Sequence, residues 1–295
     1  MVEKYVIARS ITEALDTLGI ENQSKAVIAG GTDLLLDIRQ GRHSRPDIFL
    51  DVSEIEEMRD IRLESESIYL GGAVTHNEIV RSDLLREHAQ CIVEGCGLIG
   101  GPQVRNVATI GGNVAHALPA GDGTISLLAL NAEVKIASNS GESRWEPLVN
   151  IFEGPGEVTF DRGSELLVGF RFSRKNDREA SAFHRVMRPQ GVAIAILNMS
   201  AWVKIGADDC FEDVRIACGP AGPRPFRAYQ TESVFKGKLF EDDIFTQACQ
   251  VLSGEVSLRT SRHRATKEYR EQLLSVLLRN VLDAAFARAI YQEIY

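Results

Sequence analysis

Two glycine pairs, each set between an apolar run and a small polar residue, constrain this chain more than any other feature. The first lies in Val27-Ile28-Ala29-Gly30-Gly31-Thr32-Asp33-Leu34, and the second in Thr109-Ile110-Gly111-Gly112-Asn113. Glycine has no Cβ and accepts positive φ, so such a pair is typical of backbone that approaches another group closely. Backbone N–H groups that the turn leaves free can bind phosphate oxygens. We therefore predict that both turns bind the same dinucleotide.

The first turn has the context that a phosphate-binding turn needs. Residues 25–29 predict a short buried strand, and residues 34–38 predict a helix that ends near Gly41. The turn does not have the form G-x-G-x-x-G, however, and no P-loop lysine follows it. A doubly wound nucleotide fold is therefore not favoured.

Helices and strands alternate through the rest of the first half. The capping-box pattern, Ser or Thr followed three residues later by Glu, predicts helix starts at Ser10, Ser53 and Thr75. Further strands are predicted over 47–52, 67–74, 133–137 and 165–172, and further helices over 84–98 and 124–132. Asp122 comes just before the last of these helices, where it is either a helix cap or part of the ligand site.

A run of charge over 173–179 predicts an exposed linker, and we place a domain boundary there. The first domain covers 1–175, with subdomains of about 1–55 and 56–175, and the second covers 176–295. In the second, residues 183–187, 192–205 and 214–218 predict three antiparallel strands. Helices are predicted near 228–235, 242–252 and 265–290. Strands followed by helices are typical of a small α+β unit.

The bulk composition excludes several classes of function. A net charge of −8 and a pI near 5.4 argue against nucleic acid as a partner, because phosphate contacts need clustered Lys and Arg. No apolar run approaches the roughly 20 residues that span a bilayer. The five cysteines and six histidines show no metal-ligand spacing. We therefore expect a cytoplasmic protein with reduced cysteines, no membrane span and no metal site on this chain.

The two turns and three further segments, in this order along the chain, resemble the FAD-binding medium subunit of the molybdenum hydroxylases. This is the family of xanthine dehydrogenase and carbon monoxide dehydrogenase, and the resemblance covers nearly the whole length. The further segments are Gly101-Pro102-Gln103-Val104-Arg105-Asn106-Val107-Ala108-Thr109, Phe183-His184-Arg185-Val186 and Arg264-Ala265-Thr266-Lys267-Glu268-Tyr269-Arg270. Within the family, the chain looks most similar to the bacterial xanthine dehydrogenase FAD subunit, notably over residues 154–158.

The resemblance implies an α+β fold. An FAD-binding domain of the vanillyl-alcohol-oxidase/PCMH type would hold the cofactor between two subdomains, and a small α+β domain with a three-stranded antiparallel sheet and helices would follow. The residues that it assigns to the cofactor are Val27, Ile28, Ala29, Gly30, Gly31, Thr32, Asp33, Leu34, Ile99, Thr109, Ile110, Gly111, Gly112, Asn113, Asp122, Leu167 and His184.

The same resemblance implies a role for each group of these residues. Residues 27–34 would wrap the pyrophosphate, and residues 109–113 would meet the phosphates and the neighbouring ribose. Asp122 would bind on the adenosine side, while Ile99 and Leu167 would pack on the flavin or adenine. His184 falls where some relatives carry a lysine, so it is either a cofactor contact or an ordinary strand residue.

The function implied is that of an electron-transfer subunit. Electrons would pass from iron–sulfur clusters on a small partner, through FAD on this chain, to NAD⁺ or another acceptor. Molybdopterin would lie on a large partner, and no residue of this chain would act as a catalytic acid, base or nucleophile. Two alternatives stay open: a self-contained FAD-dependent oxidoreductase, and a non-enzymatic scaffold that does not use flavin.

Overall fold

A three-stranded parallel sheet comes first in the computed structural model, which describes residues 4–188, 194–262 and 264–291. Its strands and helices are β1 (Lys4–Ile7), α1 (Ile11–Leu18), β2 (Lys25–Ile28), α2 (Leu34–Arg39) and β3 (Ile48–Asp51). β3 lies between β1 and β2 and pairs with both in parallel. Ser10 begins α1 by accepting a hydrogen bond from the N–H of Glu13, as its capping pattern predicts.

The second sheet is antiparallel and has five strands. The chain forms β4 (Ile61–Glu64), β5 (Ser67–Gly71), β6 (Glu133–Ser138), β7 (Ser143–Pro147), a small hairpin of β8 (Phe152–Gly154) and β9 (Glu157–Val158), and β10 (Glu165–Ser173). The hairpin stands apart, and the spatial order in the sheet is β4–β5–β10–β6–β7. β10 is central, so its residues Leu166 to Phe170 are all buried.

Six helices lie between β5 and β6 along the chain and cover one face of this sheet. They are α3 (His76–Arg81), α4 (Asp83–His88), α5 (Gln90–Gly97), α6 (Pro102–Arg105), α7 (Ile110–Ala115) and α8 (Asp122–Ala129). Ile125 of α8 and Ile92 of α5 are fully buried in one core with Ile68 and Phe170 of the sheet.

The third sheet carries the C-terminal helices. Its strands are β11 (Glu179–Val186), β12 (Leu197–Ile205), β13 (Phe211–Gly219) and β14 (Phe226–Arg227), antiparallel and in that order. The helices α9 (Tyr229–Phe235), α10 (Asp242–Glu255) and α11 (Lys267–Ile290) follow. Phe183 and Trp202 belong to the core of the second sheet and its helices, whereas Ala182 and Met199 belong to a separate core with α11.

The predicted α+β fold is confirmed, with differences in detail. The three predicted strands of the last sheet are present, and the two-residue strand β14 is added to them. The part of the predicted strand over 192–193 lies outside the described residues. No helix in the described ranges is long and apolar enough to cross a membrane.

Two local predictions are wrong. Ser53 caps no helix, because its N–H is turned back to the Asp51 carboxylate and the next helical turn begins only at Glu56. The single helix predicted over 84–98 is interrupted at Ala89, which lies outside the helical region at φ −149° and ψ 52°. The restarted helix α5 is supported from a distant strand, since Ser181 of β11 accepts from the N–H of Cys91.

Candidate functional site

The first glycine turn rests directly on the segment that leads into the second. A Cβ on Gly30 would lie 2.1 Å from the carbonyl oxygen of Val107 and 2.7 Å from the Cα of Ala108. Atoms at such distances overlap, so only glycine allows this contact. The absence of a side chain at Gly30 is therefore required by packing within the protein.

The second glycine segment is attached to the turn between β5 and α3. The N–H of Gly111 donates to the carbonyl of Gly72 (2.8 Å), and a Cβ on Gly111 would lie 2.5 Å from that oxygen. The N–H of Gly72 donates in turn to Val168 (2.8 Å), next to the buried Leu167. The structure thus brings residues 27–34, residues 109–113 and Leu167 into one continuous region, as the predicted site requires.

Only the first turn leaves backbone donors for a ligand. Within the described residues, the N–H groups of Gly30, Gly31 and Thr32 make no hydrogen bond. Gly31 has φ +65°, a conformation that side chains rarely adopt, and it reverses the chain between β2 and α2. Successive free N–H groups in such a turn are suited to anionic oxygens.

The second segment is the start of a helix, and its N–H groups are already used. Ile110 donates to Val74 (3.0 Å), Gly112 to the hydroxyl of Thr109 (3.1 Å) and Asn113 to the carbonyl of Thr109 (3.0 Å). The expectation that both turns leave free N–H groups is therefore wrong for this one. Gly112 differs from Gly111 in being exposed, and a Cβ on it would meet only the Thr109 hydroxyl. A ligand can approach the backbone there.

Asp122 is buried at the start of α8 and bound by two side chains from the third sheet. Arg185 of β11 forms an ion pair with one carboxylate oxygen, and Asn198 of β12 donates to the other (2.6 Å). Burial raises the pKa of Asp122, and the Arg185 and Asn198 contacts oppose that rise. Both oxygens are thus engaged inside the protein, so the predicted contact of Asp122 with a cofactor stays a prediction.

His184 and Arg185 point to opposite faces of β11. His184 is exposed, whereas the side chain of Arg185 is only 6% exposed and lies with Phe183 on the face toward α5 and α8. The cofactor role of His184 stays a prediction, and Arg185 is the residue that sequence reasoning missed. Strand alternation could have found it. Side chains two residues apart in a strand lie on the same face, so Arg185 shares the buried face of Phe183, whereas His184 lies on the opposite face.

His76 is buried beneath the region where the two glycine segments meet. Its N–H donates to the carbonyl of Ala108 (3.0 Å), and its imidazole Nδ1 has no hydrogen-bond partner. Burial, assisted by the positive charge of Arg105, lowers the pKa of His76 to about 4. The imidazole is therefore neutral at pH 7.

The cysteines near the site are part of the core. Cys91 and Cys96 are fully buried, and burial raises the pKa of both thiols, that of Cys91 to about 11. A neutral, enclosed thiol is a poor nucleophile. Among the described residues, no group of three or more His, Cys, Asp or Glu side chains is arranged to hold a metal ion.

Two family models match the chain in succession. Residues 1–172 match the model described as the FAD binding domain in molybdopterin dehydrogenase. Residues 181–285 match the CO dehydrogenase flavoprotein C-terminal domain.

Curated relatives match over nearly their whole length. The chain is 28% identical to the xanthine dehydrogenase FAD-binding subunit of Escherichia coli over 287 residues, which is 97% of this chain and 96% of the relative. It is 29% identical to the glyceraldehyde dehydrogenase medium chain of Sulfolobus acidocaldarius, over 92% of this chain and 94% of that protein.

Solved structures share the fold. A chain of carbon monoxide dehydrogenase from Hydrogenophaga pseudoflava superimposes with a TM-score of 0.90 at 24% identity, covering 97% of both chains. A chain of quinoline 2-oxidoreductase from Pseudomonas putida 86 does so with a TM-score of 0.87 at 21% identity, covering 98% of both.

Proposed function

The chain belongs to the family of FAD binding domains in molybdopterin dehydrogenase, and from that membership we propose that it is the electron-transfer flavoprotein subunit of a molybdenum hydroxylase of the xanthine dehydrogenase type. The proposed partners are a large molybdopterin subunit and a small 2Fe–2S subunit. The proposed path of electrons runs from the iron–sulfur clusters through FAD to NAD⁺ or another acceptor. The proposed domains, 1–175 and 176–295, meet between the two family-model matches.

The observation that carries this proposal is the first glycine turn. Its free N–H groups at Gly30, Gly31 and Thr32 have the chemistry to hold the phosphate oxygens of FAD, and the positive φ of Gly31 forms the turn that carries them. The exposed backbone at Gly112 adds a second place of close approach. The residues present therefore fit the cofactor that the family description names.

The chain's own residues bind and orient the cofactor. Residues 27–34 hold the pyrophosphate, Thr109–Asn113 meet the phosphates and ribose, and Ile99 and Leu167 supply apolar contacts to the flavin or adenine. When bound, FAD supplies reversible two-electron chemistry that amino-acid side chains lack. We assign no acid, base or nucleophile to this chain, and we place it in the cytoplasm, where its free cysteines stay reduced.

The test is the absorption spectrum of the gently purified chain. We expect bands at roughly 370 and 450 nm, as for any oxidised flavin, and release of FAD on heating, identified by chromatography. Co-purification with a molybdenum subunit and an iron–sulfur subunit would support the electron-transfer role. Bound FAD with turnover by the isolated chain would instead favour a self-contained oxidoreductase. A colourless chain that does not bind added FAD would leave the scaffold as the surviving alternative.

A further inference from the structure

Two arginines hold three consecutive backbone carbonyls between α5 and α6. Arg185 donates through Nη2 to the carbonyl of Leu98 (2.5 Å). Arg105 donates through Nη1 to the carbonyls of Ile99 (3.1 Å) and Gly100 (2.9 Å). All the carbonyls of this short segment, residues 98–100, are therefore bound by guanidinium groups, which are stronger donors than neutral ones.

The segment needs this support because the adjoining helices do not continue through it. Gly100 has φ +53°, so the chain turns sharply there, and Leu98 is 41% exposed. Ile99 is half-buried and packs against the edge of the main core. An exposed apolar segment with unpaired carbonyls would be mobile, whereas this one is fixed at each residue.

The two arginines come from different parts of the chain. Arg105 lies at the end of α6 and is close in sequence to residues 98–100. Arg185 reaches across from β11 of the third sheet, and its direction is set by the buried Asp122. Asn198 of β12 fixes Asp122 in turn by a 2.6 Å hydrogen bond. The third sheet thus acts on residues 98–100 through a relay of buried polar groups.

We propose that Arg105 and Arg185 are positioning residues that hold residues 98–100 so that Ile99 is presented to bound FAD. This inference rests on the proposed function for its ligand. Asp122, in this arrangement, acts on the cofactor site by orienting Arg185. The C-terminal sheet is then a structural requirement for tight FAD binding, although none of its residues has to touch the cofactor.

The test compares the full chain with Arg105→Gln and Arg185→Gln. FAD affinity is measured by fluorescence titration of the flavin-free chain, and the mobility of residues 98–100 by amide hydrogen exchange. We expect each variant to bind FAD about tenfold more weakly, because losing a charge-assisted hydrogen bond corresponds to roughly that factor. Exchange at residues 98–100 should rise in both. Arg185→Lys should recover part of the affinity, since lysine keeps the charge near Asp122.

Arg174→Gln is the matched control. This variant likewise removes a guanidinium that makes two hydrogen bonds, here to the carboxylate of Glu66, but at an exposed site. We expect its FAD affinity and its exchange at residues 98–100 to equal those of the unaltered chain. The urea unfolding midpoint of every variant shows whether an effect is local, and the visible circular dichroism of bound flavin reports how the ring is packed.

The possible failures are distinct. Unchanged exchange at residues 98–100 in both glutamine variants would overturn the inference by itself. Raised exchange with unchanged FAD affinity and unchanged flavin dichroism would show that the arginines order the segment without acting on the cofactor, which also overturns it. Failure of the unaltered chain to bind FAD would overturn the proposed function, and the positioning role with it.

Discussion

Gly111 and Gly112 are adjacent, yet the structure gives them different reasons for lacking a side chain. Gly111 packs on the backbone of Gly72, and Gly112 faces outward, where a Cβ would meet only the Thr109 hydroxyl, at 3.1 Å. The comparison separates a requirement of the fold from a requirement of ligand binding. The same reasoning assigns Gly30 to packing, because Val107 lies against it.

We expect Gly112→Ala to lose FAD while keeping the fold. Alanine is favoured over glycine inside a helix by about 0.5–1 kcal/mol, so the free energy of unfolding should stay equal or rise. Gly111→Ala should instead lower it by about 1–3 kcal/mol through overpacking. Urea unfolding and FAD titration of both variants provide the measurement. Unchanged FAD affinity in Gly112→Ala would remove residues 109–113 from the proposed site.

The buried His76 predicts a dependence of stability on pH. The folded chain keeps it neutral down to a pKa of about 4, whereas the unfolded chain protonates it near 6.5. The unfolded state therefore binds more protons between these values, and the free energy of unfolding should fall as pH falls, by up to about 1.4 kcal/mol per pH unit from this group.

The measurement is urea unfolding at pH 7.0 and pH 5.0. His76→Gln should reduce the difference between the two, because glutamine does not titrate. His184→Gln is the control, since His184 is exposed on β11 and its removal should leave the difference unchanged. An equal pH dependence in the unaltered chain and in His76→Gln would contradict the prediction.

At the scale of single elements, a capping box depends on which carboxylate accepts the hydrogen bond from the backbone N–H of the capping residue. Thr75 and Glu78 form the complete capping box at the start of α3. The same pattern at Ser53 and Glu56 forms none, because Asp51 captures the N–H of Ser53 first. The two sites therefore make a natural comparison of one sequence pattern in two settings.

Thr75→Ala should lower the free energy of unfolding by about 1 kcal/mol, the usual cost of a lost N-cap. Ser53→Ala should change it by less than about 0.5 kcal/mol, as for surface positions without a structural role. Chemical unfolding of the two variants under identical conditions tests both values. Thr75 also pairs with Thr109 across the site, so FAD retention in Thr75→Ala would show how far the helix start supports the second segment.

At the scale of the whole molecule, Glu94 joins the second and third sheets. Its carboxylate on α5 accepts from the N–H of Phe183 on β11 (2.8 Å) and from the guanidinium of Arg288 on α11 (2.5 Å). Arg288 also donates to the carbonyl of Ser181 (2.8 Å). One carboxylate thus satisfies a strand N–H and orients a helix from a distant part of the chain.

We expect Glu94→Ala to uncouple the two parts during unfolding. The free energy of unfolding should fall by about 1–3 kcal/mol, because the buried N–H of Phe183 is left without an acceptor. The chain has two tryptophans, Trp145 on β7 of the second sheet and Trp202 on β12 of the third sheet, whose side chain packs against the second-sheet core, so single-tryptophan variants can follow the second sheet and its junction with the third. Their urea transitions should coincide in the parent chain and separate after Glu94→Ala. Arg279→Ala, which breaks an exposed pair with Asp242, is the control and should leave the transitions together.

Local patterns were enough to predict the α+β class, most strands and helices, and the segments that form the candidate site. Glycine pairs, strand alternation and the caps at Ser10 and Thr75 are short-range features, so a single sequence displays them directly. The resemblance to a family then indicated FAD as the cofactor, and the first family model supports this prediction. The residues assigned to that cofactor remain predictions, although the structure brings most of them together.

The tertiary structure alone decided how those residues are used. Arg185 meets Asp122 across 63 positions of the chain, and Cys91 is capped by Ser181 across 90. No local pattern encodes such pairings, because they depend on where the sheets come to lie in three dimensions. For the same reason, the sequence could not show that the N–H groups after Thr109 are consumed by helix formation and by Val74 and Gly72, whereas those after Ala29 remain available.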